Sequence, residues 1–161
     1  ERLAQLLTQV GGRAGRAQKP GEVIIQTRHP EHPIMTAVLE KDWRSLSAQL
    51  LSSREAQGLP PNGALAALRC DSANPESGAA FLLAVINAYR GTSPDLSTRL
   101  VGPLSAPMAR RAGLYRSHIV ITGPQRSKVH ASVKALVAIA SGQKLPKGLR
   151  WFVDIDPSEP L

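Results

Sequence analysis

A single cysteine, Cys70, in 161 residues excludes an internal disulfide and any cysteine-rich zinc site within the chain, and it fits a reducing cytoplasm. Apolar stretches run only a few residues before a charge, glycine or proline interrupts them, which argues against a membrane-crossing helix. The sequence does not open on a basic segment followed by an apolar run, so no secretory signal is read. There is no internal repeat and no long low-complexity tract. Acidic residues are missing altogether between Asp95 and Asp154, a stretch that nevertheless carries Arg99, Arg110, Arg111, Arg116, Arg126, Lys128, Lys134, Lys144, Lys147 and Arg150. The net charge of +8 is therefore concentrated in the C-terminal half. A single-sign field of this extent suits either a polyanion or acidic peptide as partner, or a solvated surface that keeps the chain soluble.

With 42% hydrophobic and 20% charged residues, the remainder is ordinary globular protein, long enough for one domain or for a small domain joined to part of another. Residues 9–16 read Gln9-Val10-Gly11-Gly12-Arg13-Ala14-Gly15-Arg16. Two guanidinium groups three residues apart on a glycine-loosened loop suit phosphate recognition, because the planar fork matches phosphate oxygens and stays charged. A basic surface turn is the alternative reading. No G-K-[ST] phosphate loop and no D-E-x-[HD] run occurs in the chain, so a complete ATP site cannot be built from these residues. The early position of the motif and a first residue that is Glu1 rather than Met lead to the expectation of a C-terminal portion of a larger enzyme.

Residues 1–8 read as the end of a helix with Leu3, Leu6 and Leu7 at helical spacing, broken by the glycines. Residues 22–27, Glu22-Val23-Ile24-Ile25-Gln26-Thr27, read as a short buried strand. From Pro33 to about Ser53, Ile34, Val38, Leu46, Leu50 and Leu51 suggest one long helix or two shorter ones, with Trp43 packing on it. The prolines and glycine of residues 54–63 mark a boundary, giving domains at 1–63 and 64–161. Beyond it, residues 64–70 read as a strand. Asn74-Pro75 reads as an N-cap with proline at the first helical position, and the helix extends to Tyr89, burying Phe81, Leu82, Val85, Ile86 and Tyr89 before Gly91. Residues 100–106 form a weaker strand and 114–122 a better one. A helix follows from about Arg126 to Ser141, burying Val129, Val133, Leu136, Val137 and Ala140, and a strand from Arg150 to Asp156 closes the chain. The order β-α-β-β-α-β predicts an α+β domain with a four-stranded antiparallel or mixed sheet and two helices on one face.

The Gln9–Arg16 string resembles the last motif of superfamily-2 helicases and translocases. Four landmarks in order narrow this. They are Gln9 to Arg16 followed by Lys19-Pro20-Gly21-Glu22-Val23; His29-Pro30-Glu31-His32-Pro33; Arg54 followed by Pro60-Pro61; and the closing Trp151-Phe152-Val153-Asp154-Ile155-Asp156-Pro157. Together they resemble the C-terminal end of the bacterial primosomal replication-restart helicases, the PriA family. The resemblance implies the remnant of a RecA-like helicase lobe followed by a domain similar in fold to ribosomal protein S10. It implies a parent that is an ATP-dependent 3′→5′ DNA helicase, using ATP with Mg²⁺ and holding Zn²⁺ on ligands upstream. The implied partners are branched or forked DNA, the acidic C-terminal tail of single-stranded DNA-binding protein and other primosome proteins, in a cytoplasmic, nucleoid-associated setting without a membrane. Arg16 then corresponds to the arginine finger, Arg13 to its partner near the γ-phosphate, and Gln9 and Gly12 to the nucleotide-contacting part of the motif. This chain alone is expected to bind no cofactor and to hydrolyse no ATP. The rival reading is an ATPase-inactive DNA-binding or scaffold module of the primosome.

The chemistry of these roles selects further residues. Arg126, His130 and Lys134 recur every four residues on one helix, and Arg126 lies where backbone N–H groups are unsatisfied, so with Lys128 they are candidates to hold a carboxylate of an acidic tail. A solvated helix face is the plainer alternative. Arg110, Arg111 and Arg116 with Tyr115 are candidate DNA contacts, the cations neutralising phosphate and the ring stacking on an unpaired base. Tyr115 could equally be core. His29 and His32 are read as a turn leading into a helix, since the flanking prolines keep both imidazoles off one helical face. Asp154 and Asp156 are read as strand-ending residues paired with neighbouring arginines, not as a Mg²⁺ site, and no metal site is assigned. Cys70 is expected to be buried, and Trp43 and Trp151 to pack.

Overall fold

The computed structural model describes residues 2–14, 22–92 and 96–157. The chain divides into two compact units, Glu1–Ser53 and Arg54–Leu161. In the first, α1 spans Arg2–Gly11, α2 spans Pro33–Leu39 and α3 begins at Trp43 and runs to Ala56, across the division. Their core is Ala4, Ala37, Val38 and Leu46, with Leu7, Ile34 and Leu50 packed against it. Three expectations fail here. The apolar side of α1 is Ala4 and Leu7, spaced three apart, whereas Leu3 and Leu6 lie about 100° around the helix and are exposed. Leu51, next to Leu50, is exposed on α3 for the same reason, whereas Trp43 shares the face of Leu46 and Leu50 and is exposed as the first residue of the helix. Residues 22–27 form no strand and Ile24 is 85% exposed, because a β-branched run needs a neighbouring strand to pair with and none of the described strands pairs with it.

The His-Pro segment is the turn expected. His32 caps α2, its Nδ1 accepting from the Ile34 N–H at 3.2 Å, and Pro33 takes the first helical position, where its missing N–H costs nothing.

The second unit contains β1 (Ala64–Ser72), α4 (Pro75–Arg90), β2 (Arg99–Arg111), β3 (Leu114–Gly123), α5 (Arg126–Ser141) and β4 (Arg150–Ile155). Its sheet is antiparallel throughout in the order β2-β3-β1-β4, so β1 and β3 are central and β2 and β4 are edges. Alternation assigns the faces. Ala66, Leu68 and Cys70 of β1 join Ile119 and Ile121 of β3 beneath Phe81, Leu82, Val85 and Ile86 of α4 and Val129, Val133 and Leu136 of α5. Trp151 packs against this core, as read from the sequence. Asn74 caps α4 by accepting from the Ser77 N–H at 2.8 Å, with Pro75 at the first position. The Tyr89 hydroxyl of α4 donates to Ser132 Oγ of α5 at 2.8 Å, so a buried phenol and a buried serine satisfy each other. Gly78 lets α4 approach the sheet, since a Cβ there would stand 2.7 Å from Ser72 Oγ and 3.0 Å from Ser117 Oγ.

The strand expected at 100–106 runs five residues further, to Arg111. Pro103 and Pro107 argue against a central strand, but β2 is an edge, where a missing N–H breaks no ladder on the outer side. Its register slips between Val101 and Leu104 and again between Ser105 and Arg110. Gly102, with φ at 141°, crosses so close to β3 that a Cβ would lie 2.8 Å from the His118 carbonyl oxygen. Ala112 (φ 50°) and Gly113 (φ 83°) form the two-residue, positive-φ turn that brings β3 back.

Cys70 lies in the middle of β1, fully buried, and burial first, then the Asp71 carboxylate, push its thiol up to about 11. A thiol reagent at pH 8 should therefore label Cys70 only through opening of the central strand, with a rate that rises with denaturant. Labelling of the native chain at the rate of a free cysteine would contradict this packing.

Candidate functional site

The face of the sheet turned away from the helices carries the charges. Arg69 and Asp71 of β1 point there, between cross-strand neighbours His118 and Phe152 for Arg69, and Arg116 and Arg150 for Asp71. Arg150 donates from Nε and Nη2 to Asp71 Oδ2 at 3.0 and 2.9 Å. Arg116 Nε lies 3.9 Å from the other carboxylate oxygen, Oδ1. Arg69 Nε stands 3.0 Å from Asp154 Oδ2. The Asp156 carboxylate takes the Arg126 guanidinium. Asp154 and Asp156 thus turn to two different arginines, and Asp156, at φ 49°, has left the strand with its N–H donating to the Leu65 carbonyl at 3.0 Å. Asp71 was not singled out in the sequence, where the strand was expected to stop at Cys70. A carboxylate directly after the run Ala64–Cys70 was the available signal.

His118 is the second site residue that sequence reading missed. It is 2% exposed on β3 beside Arg69, and its Nε2 has no hydrogen-bond partner among the described residues. Burial foremost, with Arg69 and Arg116 adding repulsion, holds its pKa below the ordinary value of 6.5.

The candidate DNA residues separate into two groups. Arg110 and Arg111 are exposed at the tip of the β2–β3 hairpin, and among the described residues neither has a carboxylate partner. The Arg110 guanidinium lies 5.3 Å from the centroid of the Tyr115 ring, directly across the ladder. Tyr115 is half-buried on the helix side of the sheet. Arg116 is different: its side chain is 18% exposed and turned toward Asp71, so its charge is largely committed to the fold.

Arg126, Lys128, His130 and Lys134 all stand exposed on α5. Gln125 occupies the N-cap position and its side chain makes no cap hydrogen bond. A cation at a helix N-terminus is disfavoured, and the Asp156 carboxylate on Arg126 offsets that.

The motif residues belong to the first unit. Gln9 lies in the last turn of α1, which continues three residues beyond the expected Thr8 because Gln9 and Val10 are tolerant of helix and Gly11 is only its last residue. Gln9, Gly12 and Arg13 are exposed. Gly15 and Arg16 lie outside the described residues. No three His, Cys, Asp or Glu side chains cluster as a metal site among the described residues, and no described helix is long and apolar enough to cross a membrane.

Architecture and charge together define a small basic α+β domain that exposes cations at a hairpin tip and at a helix start, among other places. Residues 55–158 match the family described as the primosomal protein N C-terminal domain, and the chain belongs to that family. It is 30% identical over 161 residues to the replication restart protein PriA of Haemophilus influenzae, covering 99% of this chain and 21% of that one. The PriA protein of Synechocystis is 34% identical over 157 residues, with 98% of this chain and 18% of that one covered. That of Bacillus subtilis is 31% identical over 157 residues, with 98% and 19% covered. The chain therefore spans about a fifth of the length of these relatives.

A histidine that stays neutral in the fold but not in the unfolded chain makes stability depend on pH in one direction. Above pH 6.5 both states are neutral and His118 costs nothing; below it the unfolded chain takes up a proton that the folded chain refuses, so stability falls as pH drops toward the folded pKa. Between pH 8 and 5.5, where carboxylates hardly titrate, chemical denaturation should show wild type losing stability more steeply than His118→Gln. Parallel pH profiles for the two would contradict this.

Proposed function

We propose that this chain is the C-terminal part of an ATP-dependent 3′→5′ DNA helicase that engages stalled or branched replication forks and initiates primosome assembly and replication restart. In this reading the first unit is the end of a RecA-like lobe, with Gln9, Gly12, Arg13 and Arg16 completing a nucleotide site whose phosphate loop and Mg²⁺ ligands belong to a longer protein. The second unit is an S10-like domain that contacts DNA and the acidic tail of single-stranded DNA-binding protein. The observation that carries the reading is the pair of exposed arginines, Arg110 and Arg111, on a hairpin within the acid-free stretch. The names of the relatives, replication restart protein PriA, support the same role.

The physics of the two surfaces differs. Guanidinium groups at a hairpin tip release counterions from phosphate, which makes affinity strongly salt-dependent. The start of α5, where Gln125 makes no side-chain cap, sets Arg126 at the positive end of the helix, an arrangement that matches a carboxylate.

On forked DNA, the affinity of the 161-residue chain should fall steeply between 50 and 200 mM salt, and replacing both Arg110 and Arg111 by alanine should lower the salt slope by about 2. Affinity that does not change with salt would remove the phosphate surface. For an acidic tail peptide, Arg126→Ala should weaken binding about tenfold, in line with the loss of one charge-assisted hydrogen bond. Unchanged peptide affinity would remove Arg126 from that role.

A further inference from the structure

Between Ser105, which pairs with Ser117, and Arg110, which pairs with Tyr115, β2 has four residues where β3 has one. The surplus, Ala106-Pro107-Met108-Ala109, must leave the plane of the ladder, as an outsized bulge does. It carries no charge, and Met108 is 59% exposed. A pocket of about 140 Å³ opens beside this arch, against the first turns of α4. Pro75 and Ala79 of α4, Ser105 and Ala109 of β2, and Tyr115 and Ser117 of β3 line it.

We infer that this pocket takes one unpaired base of a DNA strand whose phosphates lie on Arg110 and Arg111. The inference rests on the DNA-binding reading above and adds to it the part of the nucleic acid that is recognised. Three features favour a base as the occupant. The walls are mostly apolar, with Tyr115 and Arg116 beside them and two serine hydroxyls, Ser105 and Ser117, which among the described residues have no hydrogen-bond partner. A planar heteroaromatic ring with polar edges satisfies such hydroxyls, whereas an aliphatic side chain leaves them unpaired. The Tyr115 ring supplies a stacking surface. The Arg110 guanidinium, 5.3 Å from that ring, puts a positive charge beside it, and Arg111 follows, so a strand entering the pocket meets cations where its phosphates run. Duplex DNA has no base to offer such a slot; a fork with a single-stranded arm does.

The test compares two single strands with the same number of phosphates, one of ten thymidines and one of ten abasic sites, binding to the whole chain. Wild type should prefer the thymidine strand about tenfold, the worth of one stacked base. Ala79→Leu and Ala109→Leu, which fill the pocket from α4 and from β2 and alter no charge, should bring the preference within twofold and leave affinity for the abasic strand unchanged; thermal melts identify any variant that fails to fold. Replacing Arg110 and Arg111 together by alanine should weaken both strands. A 2-aminopurine strand should lose fluorescence on binding wild type and not on binding the filled variants. Equal, salt-dependent binding of both strands by wild type would overturn the pocket and leave the phosphate surface standing, whereas binding of neither would overturn both. A thymidine preference that persists in filled variants melting like wild type would move the base elsewhere and overturn the assignment. So would an acidic, aromatic-ended peptide that displaces the thymidine strand from wild type by occupying the pocket itself.

Discussion

The fold turns on a single strand, β1, that is buried on both faces yet carries an arginine and an aspartate two residues apart. Apolar partners cannot be supplied on both sides, because Arg69 and Asp71 occupy the second face of its centre. The charges are tolerable only because the flanking strands bring complements into register: Asp154 from β4 for Arg69, and Arg150 from β4 with Arg116 from β3 for Asp71. Removing one partner of such a pair leaves the other uncompensated, a loss that commonly reaches several kcal/mol in a buried setting and less where, as for Arg150, solvent can replace the partner. The same interactions sort the basic residues of this acid-poor half. Asp71 engages Arg116 and Arg150, Asp154 engages Arg69, and Asp156 engages Arg126, while the hairpin arginines have no carboxylate partner among the described residues. A net charge of +8 says only that a polyanion would be attracted; the positions of three aspartates show which arginines are already paired.

Most of the second unit was legible because its local signals agree with one another. Asn74-Pro75 and the helix from Arg126 to Ser141 were readable from capping chemistry and 3.6-residue periodicity, and the observed helices begin and end within a residue of those limits. The element order follows directly. Edge strand β2 was cut short in the sequence because Pro107 and an uncharged arch interrupt its alternation, and only the sheet topology shows that an edge can carry them. In the first unit, short helices left the direction of burial ambiguous, and Leu3, Leu6 and Leu51 pointed outward. Arg116 illustrates the limit for site residues: its neighbours in sequence suggested a ligand contact, but its cross-strand neighbour is Asp71, and register is not visible in one sequence.

The proposed function divides between two surfaces that the acid-free stretch builds from different elements. The hairpin tip combines two exposed arginines with an aromatic ring and a small pocket, a set suited to a strand of nucleic acid. The start of α5 combines the positive end of a helix that Gln125 does not cap with an exposed guanidinium, a set suited to a carboxylate, although Asp156 already engages that guanidinium and an incoming ligand has to share or displace it. Both surfaces rest on the same sheet, so their geometry depends on the ion pairs of β1, β3 and β4 more than on either loop.

Amide chemical-shift mapping of the labelled chain, titrated separately with a forked DNA and with an acidic tail peptide, tests this division most directly. The account predicts that DNA perturbs residues 105–117 and the first turns of α4, while the peptide perturbs residues 125–134 together with Asp156. A single shared footprint for both ligands, or DNA shifts confined to α5 with an unmoved hairpin, would contradict it.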